Sequence, residues 1–345
     1  MANTILNAVG KIRSVLTMGA MGYVTGIPVF CDSGFVVLSP ISRALAAQSN
    51  TSLAVMATAL SGGLYATHCL VPPTSGPIAM AGTLGADLGL TIIVGLIVSI
   101  PAVAVALIYV NTISAGVNIP ANSEYTMDEL IAKYGKLPSA ARSFAPIVLP
   151  IILIGLASIV SLPAAPLGKG TAFKFFNFIG NPVVALMLGT FLALTLIPAS
   201  EKKNALTWVT QGVTNSAAIL AITGAGGSFG AILGLLPIAD ATTGLLATGL
   251  GVVIPFVIAM ITTASMMAPV IESMGFTSPL GRVFVVMAIG AGSMVASHAN
   301  DFYFWVVSQF SDMKTSEAYR CQTGMTAVMG ITIIVILYIA SKSLI

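Results

Sequence analysis

Charge is missing from this chain in long runs. Ala44 to Ala86 holds no Asp, Glu, Lys or Arg, and neither do Phe175 to Ser200, Asn204 to Ala239, Ala241 to Ile271 and Cys321 to Ser341. Each run exceeds the ~20 residues that a helix needs to cross the hydrocarbon of a bilayer. The chain of 345 residues is 57% hydrophobic and 7% charged, whereas an average soluble domain is about 25% charged. That is too little charge to cover a water-facing surface of this size. The expected fold class is all-α, a polytopic membrane protein of about 9–10 transmembrane helices.

The same composition removes several function classes. A net charge of +3 with no Lys/Arg cluster is no nucleic-acid signature. Cys31, Cys69 and Cys321 lie far apart with no CxxC spacing, which argues against a metal site or a disulfide framework. Lys11 and Arg13 precede apolar sequence, but no small-residue cleavage site follows, so a secretory leader is not indicated. Gly226-Gly227-Ser228-Phe229-Gly230 satisfies GxSxG, yet that nucleophile motif needs a strand before it, and here it sits in an apolar helical stretch. A serine hydrolase using Ser228 is therefore the minor alternative, beside a truncated, inactive carrier. No cofactor and no metal are expected.

The two histidines stand in matching surroundings. Gly62-Gly63-Leu64-Tyr65-Ala66-Thr67-His68 aligns with Gly292-Ser293-Met294-Val295-Ala296-Ser297-His298, and Pro40 with Arg43 upstream of the first is echoed by Pro269 with Glu272 upstream of the second. Two halves built to one plan, each carrying an ionisable group into apolar surroundings, are the arrangement of many secondary transporters. The expected division is residues 1–115 as a first transmembrane half, 116–143 as a polar linker and 144–345 as a second half. The linker holds Glu124, Asp128, Glu129, Lys133, Lys136 and Arg142. Against its partner the first half is shorter by roughly 86 residues, so an N-terminally incomplete half is expected, leaving Gly224–Gly230 without a symmetry mate.

Within the halves, Val71-Pro72-Pro73-Thr74-Ser75-Gly76-Pro77 cannot be regular helix, because its prolines remove amide donors and force extended backbone before each. Irregular backbone at membrane depth is tolerated where it is buried in protein or lines a wet cavity, so a re-entrant turn is expected here. The glycines from Gly224 to Gly230 suit either unwinding or close helix packing. Single spans are expected at Val15–Phe30, with a short piece to Pro40, at Leu53–His68, at Leu88–Ser114 kinked at Pro101, at Phe144–Leu162 and at Phe173–Pro198.

Ionisable groups at membrane depth cost about 2.5–3.5 kcal/mol each on insertion scales, so each is a functional candidate. They are Asp32, His68, Asp87, Asp240, Glu272, His298 and Asp301. Asp301 follows His298 by three residues, and helical spacing would put both on one face. A neutral His beside a carboxylate can exchange a proton near neutral pH, while Asn300 and Asp301 could equally cap the next helix. Asp32 suits a coupling carboxylate or an N-cap. Asp87 and Asp240 read as caps near span ends.

Several blocks resemble the gluconate permease family. They are Gly26-Ile27-Pro28-Val29-Phe30 followed by Asp32, Leu70-Val71-Pro72-Pro73 with Gly76-Pro77, Gly85-Ala86-Asp87-Leu88-Gly89, Gly224-Ala225-Gly226-Gly227, Ala288-Ile289-Gly290-Ala291-Gly292-Ser293, and His298-Ala299-Asn300-Asp301 with Phe304-Trp305. The resemblance implies two inverted halves with re-entrant or broken segments, and proton-coupled uptake of gluconate or a related sugar acid, hydroxy acid or D-serine across a bacterial inner membrane. The family's Pro-Pro-His-Pro-Gly-Pro loop reads Pro72-Pro73-Thr74-Ser75-Gly76-Pro77 here, and apolar Val253–Ile258 replaces a helix that carries Arg in the family.

The expected proton-coupling residues are Asp32, Asp301 and His298. The expected substrate-binding residues are His68, Thr74, Ser75, Gly76, Gly226, Gly227, Ser228 and Asn300. Partners are a small organic anion, protons and the lipid bilayer, with no nucleic acid; assembly as a homo-oligomer is left open.

Overall fold

A computed structural model describes residues 14–121, 138–160, 170–197, short pieces between 206 and 214, 276–299 and 301–344. The linker core, Asp240, Glu272, Asn300 and the Gly224–Gly230 segment with Gly226, Gly227 and Ser228 lie outside these residues, as does the side chain of Ser75. The described residues are helical throughout, joined by short turns. The helices are α1 (Ser14–Gly26), α2 (Cys31–Gln48), α3 (Leu53–Leu70), α4 (Ser75–Leu84), α5 (Leu88–Thr112), α6 (Ala140–Val160), α7 (Thr171–Ile179), α8 (Pro182–Leu194), α9 (Pro279–Met294), α10 (Phe302–Phe310), α11 (Thr315–Ala318) and α12 (Gly324–Leu344), with a π-helical turn at Tyr319–Thr323 before α12.

The apolar pattern sorts these helices into one central element and a lipid-facing shell. α3 packs against α1, α2, α5 and α9, and nearly every residue of it is buried. Its 18 residues rise about 27 Å, close to the hydrocarbon thickness. On α5, Ile93, Ile97, Ile100 and Ile108 are exposed, and on α12 Val328, Ile331, Val335 and Ile339 are exposed. These outward stripes recur at helical spacing, and exposed apolar side chains in such stripes suit lipid rather than water. Among the described residues four helical spans are long and apolar enough to cross a membrane, or five with the α7–α8 pair. The protein is an all-helical polytopic membrane protein.

Glycine brings α1 onto α3. A Cβ on Gly63 would lie 2.1 Å from the Gly19 carbonyl oxygen, and one on Gly22 2.3 Å from that of Leu60. Such backbone proximity is the means by which membrane helices gain dispersion contacts where lipid offers no hydrophobic drive.

Several expected boundaries change. The piece after Asp32 does not stop at Pro40 but continues to Gln48. Proline leaves the Val36 carbonyl without its helical amide, and the Ser39 hydroxyl donates to it instead at 3.0 Å. α5, by contrast, runs from Leu88 through Pro101 to Thr112 as the single span expected there. The expected single span from Phe173 is broken at Gly180-Asn181 into α7 and α8, bent by 57°, because Asn181 caps α8 through the Val183 amide and Pro182 opens the new helix. The start of the expected linker is solvated at alternate residues only, with Gly116, Asn118 and Pro120 exposed. Val117 and Ile119 are buried, and the Ser52 hydroxyl donates to the Val117 carbonyl at 2.7 Å.

One ion pair ties α2 to the far part of the chain. Arg43 donates to Asp312 at 2.7 Å and to the Phe310 carbonyl at 2.8 Å. The guanidinium holds the Asp312 carboxyl below its ordinary value through that hydrogen bond. A depressed carboxylate stabilises the fold fully above the unfolded-state pKa and loses that contribution as pH falls through the depressed value. Asp312 is half exposed, so solvent limits the gain. Asp312→Asn is expected to cost about 0.5–1 kcal/mol at neutral pH, and the difference from the parent protein should vanish in acid. Thermal unfolding in detergent at both pH values measures it.

Candidate functional site

The break between α3 and α4 is short and tightly held. Val71–Thr74 leave the helix, with a cis bond between Pro72 and Pro73. The Thr74 hydroxyl lies within donating distance of the carbonyls of Val71, at 2.8 Å, and His68, at 2.9 Å. These are end-of-helix carbonyls that no amide reaches. The expected irregular run is thus correct at 71–74 and too long beyond it. Ser75, Gly76 and Pro77 form the first turn of α4, where a proline costs no hydrogen bond. Thr74 serves the turn with its hydroxyl, while the amides of Ser75 and Gly76 head α4, and a Cβ at Gly76 would meet nothing within 4 Å.

A second irregular segment lies against α3, where the Tyr65 hydroxyl reaches Asp301. α9 ends at Met294, and residues 295–301 carry the chain to α10, with Ala296 at a φ of 58°. A left-handed alanine costs roughly 1 kcal/mol and persists where the surroundings fix it. Here Thr326 accepts from the Ser297 amide at 3.2 Å, and the Thr323 hydroxyl donates to the Ser297 carbonyl at 2.5 Å. The matching segment before His68 stays helical to Leu70, so the two histidines of the sequence echo sit in different backbones.

Asp301 is the centre of the segment. Its Oδ1 accepts from the Tyr303 amide at 3.0 Å, capping α10. Its Oδ2 accepts from the Ser297 hydroxyl at 2.5 Å and from the Tyr65 hydroxyl at 3.3 Å. Tyr65 stacks on Tyr303 at 5.3 Å between centroids. The carboxylate is therefore a cap and a buried-network member at once. His298 is not its helical neighbour. The expected shared face does not form because residues 297–299 and 301 are not helical; the His298 ring is exposed and its Nδ1 lies 2.6 Å from the Ala296 carbonyl.

The histidine that reaches Asp301 is the other one. His68 lies within electrostatic range of both Asp32 and Asp301, with the Phe30 ring 6.0 Å away. Its Nδ1 is buried with no hydrogen-bond partner among the described residues. Asp32 sits in the first turn of α2 without capping it, since Phe30 holds the N-cap position. From there Asp32 and Ser33 line a cleft of about 420 Å³ walled by Val36, Phe302, Trp305 and Gln309. Asp32 thus lines a cleft, while an unpartnered imidazole at the end of α3 lies within electrostatic range of it and of Asp301.

A sequence profile described as GntP family permease matches residues 1–343. The chain belongs to the GntP permease family. Gluconate permease of Pseudomonas aeruginosa is 33% identical over 99% of this chain and 79% of its own length. The Gnt-II system L-idonate transporter of Escherichia coli is 28% identical over 96% of this chain and 78% of its own, and the D-serine transporter DsdX of the same species 28% over 91% and 74%. As a GntP permease this protein is a membrane transporter and not an enzyme, so the hydrolase alternative on Ser228 falls.

Three polar contacts of the described core carry no signal in the sequence. Tyr65 lies inside the histidine echo, where a neutral aromatic carries no signal of its own, and its hydroxyl donates to Asp301. Gln322 is buried in the π-helical turn, with Ser61 donating to it at 2.7 Å; a polar residue two positions after Arg320 gives no periodic signal. Arg282 reaches from α9 to the Leu84 carbonyl at 3.0 Å, placing a cation at the C-terminal end of α4. Asp87 caps α5 by accepting from the Leu90 amide at 2.7 Å, as its position near a span end indicates.

Proposed function

We propose that this permease is a secondary carrier that takes up a small organic acid anion together with protons across a bacterial inner membrane. The observation that carries the reading is that His68 lies within electrostatic range of both Asp32, which lines the cleft, and Asp301. Two carboxylates can release their charge by protonation, and a neutral imidazole within electrostatic range of both can exchange a proton with them. The amides of Ser75 and Gly76 at the head of α4 supply further donors for a carboxylate group. Asn300 and the Gly226–Ser228 backbone would complete the substrate site. Gluconate, L-idonate and D-serine, the substrates in the names of the relatives, all carry a carboxylate on a short polar chain, and they define the substrate class. The two-half organisation, with residues 116–143 between the halves, belongs to the same proposal.

The test is uptake into proteoliposomes. Radiolabelled gluconate, idonate and D-serine are offered with and without a pH gradient that is acidic outside, and the accumulation is compared. At least one should accumulate under the gradient and only equilibrate without it. Indifference to the gradient for a transported acid rules out proton coupling, and transport of none of the three rules out the substrate class.

A further inference from the structure

Thr58, Ser61, Tyr65 and His68 recur along α3 at intervals of three and four residues and so occupy one face of the helix. α3 is the helix at the centre of the fold, and a polar face there is costly unless each group has a partner. Some partners are plain. Ser61 donates to Gln322 Oε1 at 2.7 Å and Tyr65 to Asp301 at 3.3 Å. Others are not. Among the described residues five buried side-chain polar atoms make no hydrogen bond of ordinary geometry, and four of them border this face: His68 Nδ1, Gln322 Nε2, Tyr303 Oη, which lies beside Ser61, and Ser114 Oγ. Tyr303 stacks on Tyr65. Gln322 is bonded to Ser61. Ser114 and Thr58 both lie beside the Cys321 thiol. Tyr303, Gln322 and Ser114 are each at least nine-tenths buried.

An unpartnered buried donor or acceptor costs about 1–3 kcal/mol, so four along a single face are not a tolerable accident of packing. Internal water is the species that satisfies such groups inside proteins, and each such water needs two to four polar neighbours. The π-helical turn at Tyr319–Thr323 fits the same purpose. Its widened ladder carries Cys321 and Gln322, both fully buried, toward α3, and such turns gather at functional positions.

We propose that this face of α3 carries a chain of internal waters that conducts protons between the Asp32–His68–Asp301 cluster and the end of α5 at Ser114. The inference rests on the proton-coupled reading above. From Thr58 to His68 the helix rises about 15 Å. At the Ser114 end the route reaches Asn111 and Thr112, which are exposed; at the other it meets the cleft that Asp32 lines. Each hydroxyl and each water accepts a proton from one neighbour as it passes its own to the next, so the path moves one proton with no net change along its length. Substrate would use the cleft and protons the polar face of α3.

Hydroxyl-radical footprinting of the purified full chain reads internal water directly, without a substrate. Tyr65, Tyr303 and Cys321 should be modified several-fold more than Met18 and Met21. Those two methionines are intrinsically more reactive than tyrosine, and they are equally buried but sit on α1, away from the track. Modification of Tyr65, Tyr303 and Cys321 no greater than that of Met18 and Met21 overturns the water chain. The Ser61→Ala/Gln322→Leu double variant, which removes both partners of the central bond together, then tests conduction in proteoliposomes with gluconate, or with whichever of the three acids the parent protein transports. Accumulation driven by the pH gradient should fall several-fold while counterflow at equal pH persists. Parent-level driven accumulation in this variant overturns the proton path. Indifference of the parent protein itself to the gradient overturns the coupling reading, a failure that the footprint cannot produce and that is therefore told apart from it.

Discussion

Asp301→Asn is expected to abolish uptake driven by a pH gradient while leaving the protein folded. Asn keeps the oxygen that accepts the Tyr303 amide, so the α10 cap at 3.0 Å survives. Its amide nitrogen takes the place of the oxygen now bonded by Ser297 and Tyr65, and both hydroxyls can turn to accept. What the variant loses is a group that can change charge. If the carboxylate is the loading site, driven accumulation falls to the level of passive equilibration, and counterflow of the same acid at equal pH remains measurable. Parent-level accumulation would reduce Asp301 to a helix cap. His298→Gln is expected to matter far less, because that ring is exposed and bonds only locally to the Ala296 carbonyl.

Gly63→Ala should be the most damaging small substitution in the described core. Its new Cβ would stand 2.1 Å from the Gly19 oxygen and 2.5 Å from the Tyr23 nitrogen, both backbone atoms of α1. Neither can rotate aside, so α1 and α3 must separate by about 1 Å to restore van der Waals distance. Overpacking of this kind costs about 1–3 kcal/mol, sometimes more, and it reaches the site because Ser61 and Tyr65 flank Gly63 on the same helix. Gly155→Ala is the control. Nothing lies within 4 Å of its Cβ, and alanine is the better helix former. Thermal unfolding of detergent-solubilised protein should show Gly63→Ala well below the parent and Gly155→Ala at or above it. Equal melting of the two would refute the close α1–α3 crossing.

The sequence by itself determined the features that depend on local chemistry or on mean polarity. Long runs without charge require helices in lipid, because no other solvent suits that surface. Consecutive prolines at Pro72 and Pro73 interrupt a helix wherever they stand, and Asp87 followed by an apolar run is a cap in most settings. The tertiary structure decided which groups meet. Asp32, His68 and Asp301 were each legible as costly ionisable residues at membrane depth, but their convergence depends on α2, α3 and the turn before α10 packing together, which no spacing along the chain encodes. The pairing of His298 with Asp301 failed for the same reason: three residues apart means one face only if the backbone is helical, and here Thr323 and Thr326, from the far side of α10, hold Ser297 in a turn. Pro40 makes the complementary case. Proline should end a helix, yet α2 continues because the adjacent Ser39 hydroxyl donates to the carbonyl that lost its amide. A rule about one residue type gives way when a neighbour replaces the missing hydrogen bond, and the buried polar face of α3 becomes visible only once Gln322, Tyr303 and Ser114 are seen to border it.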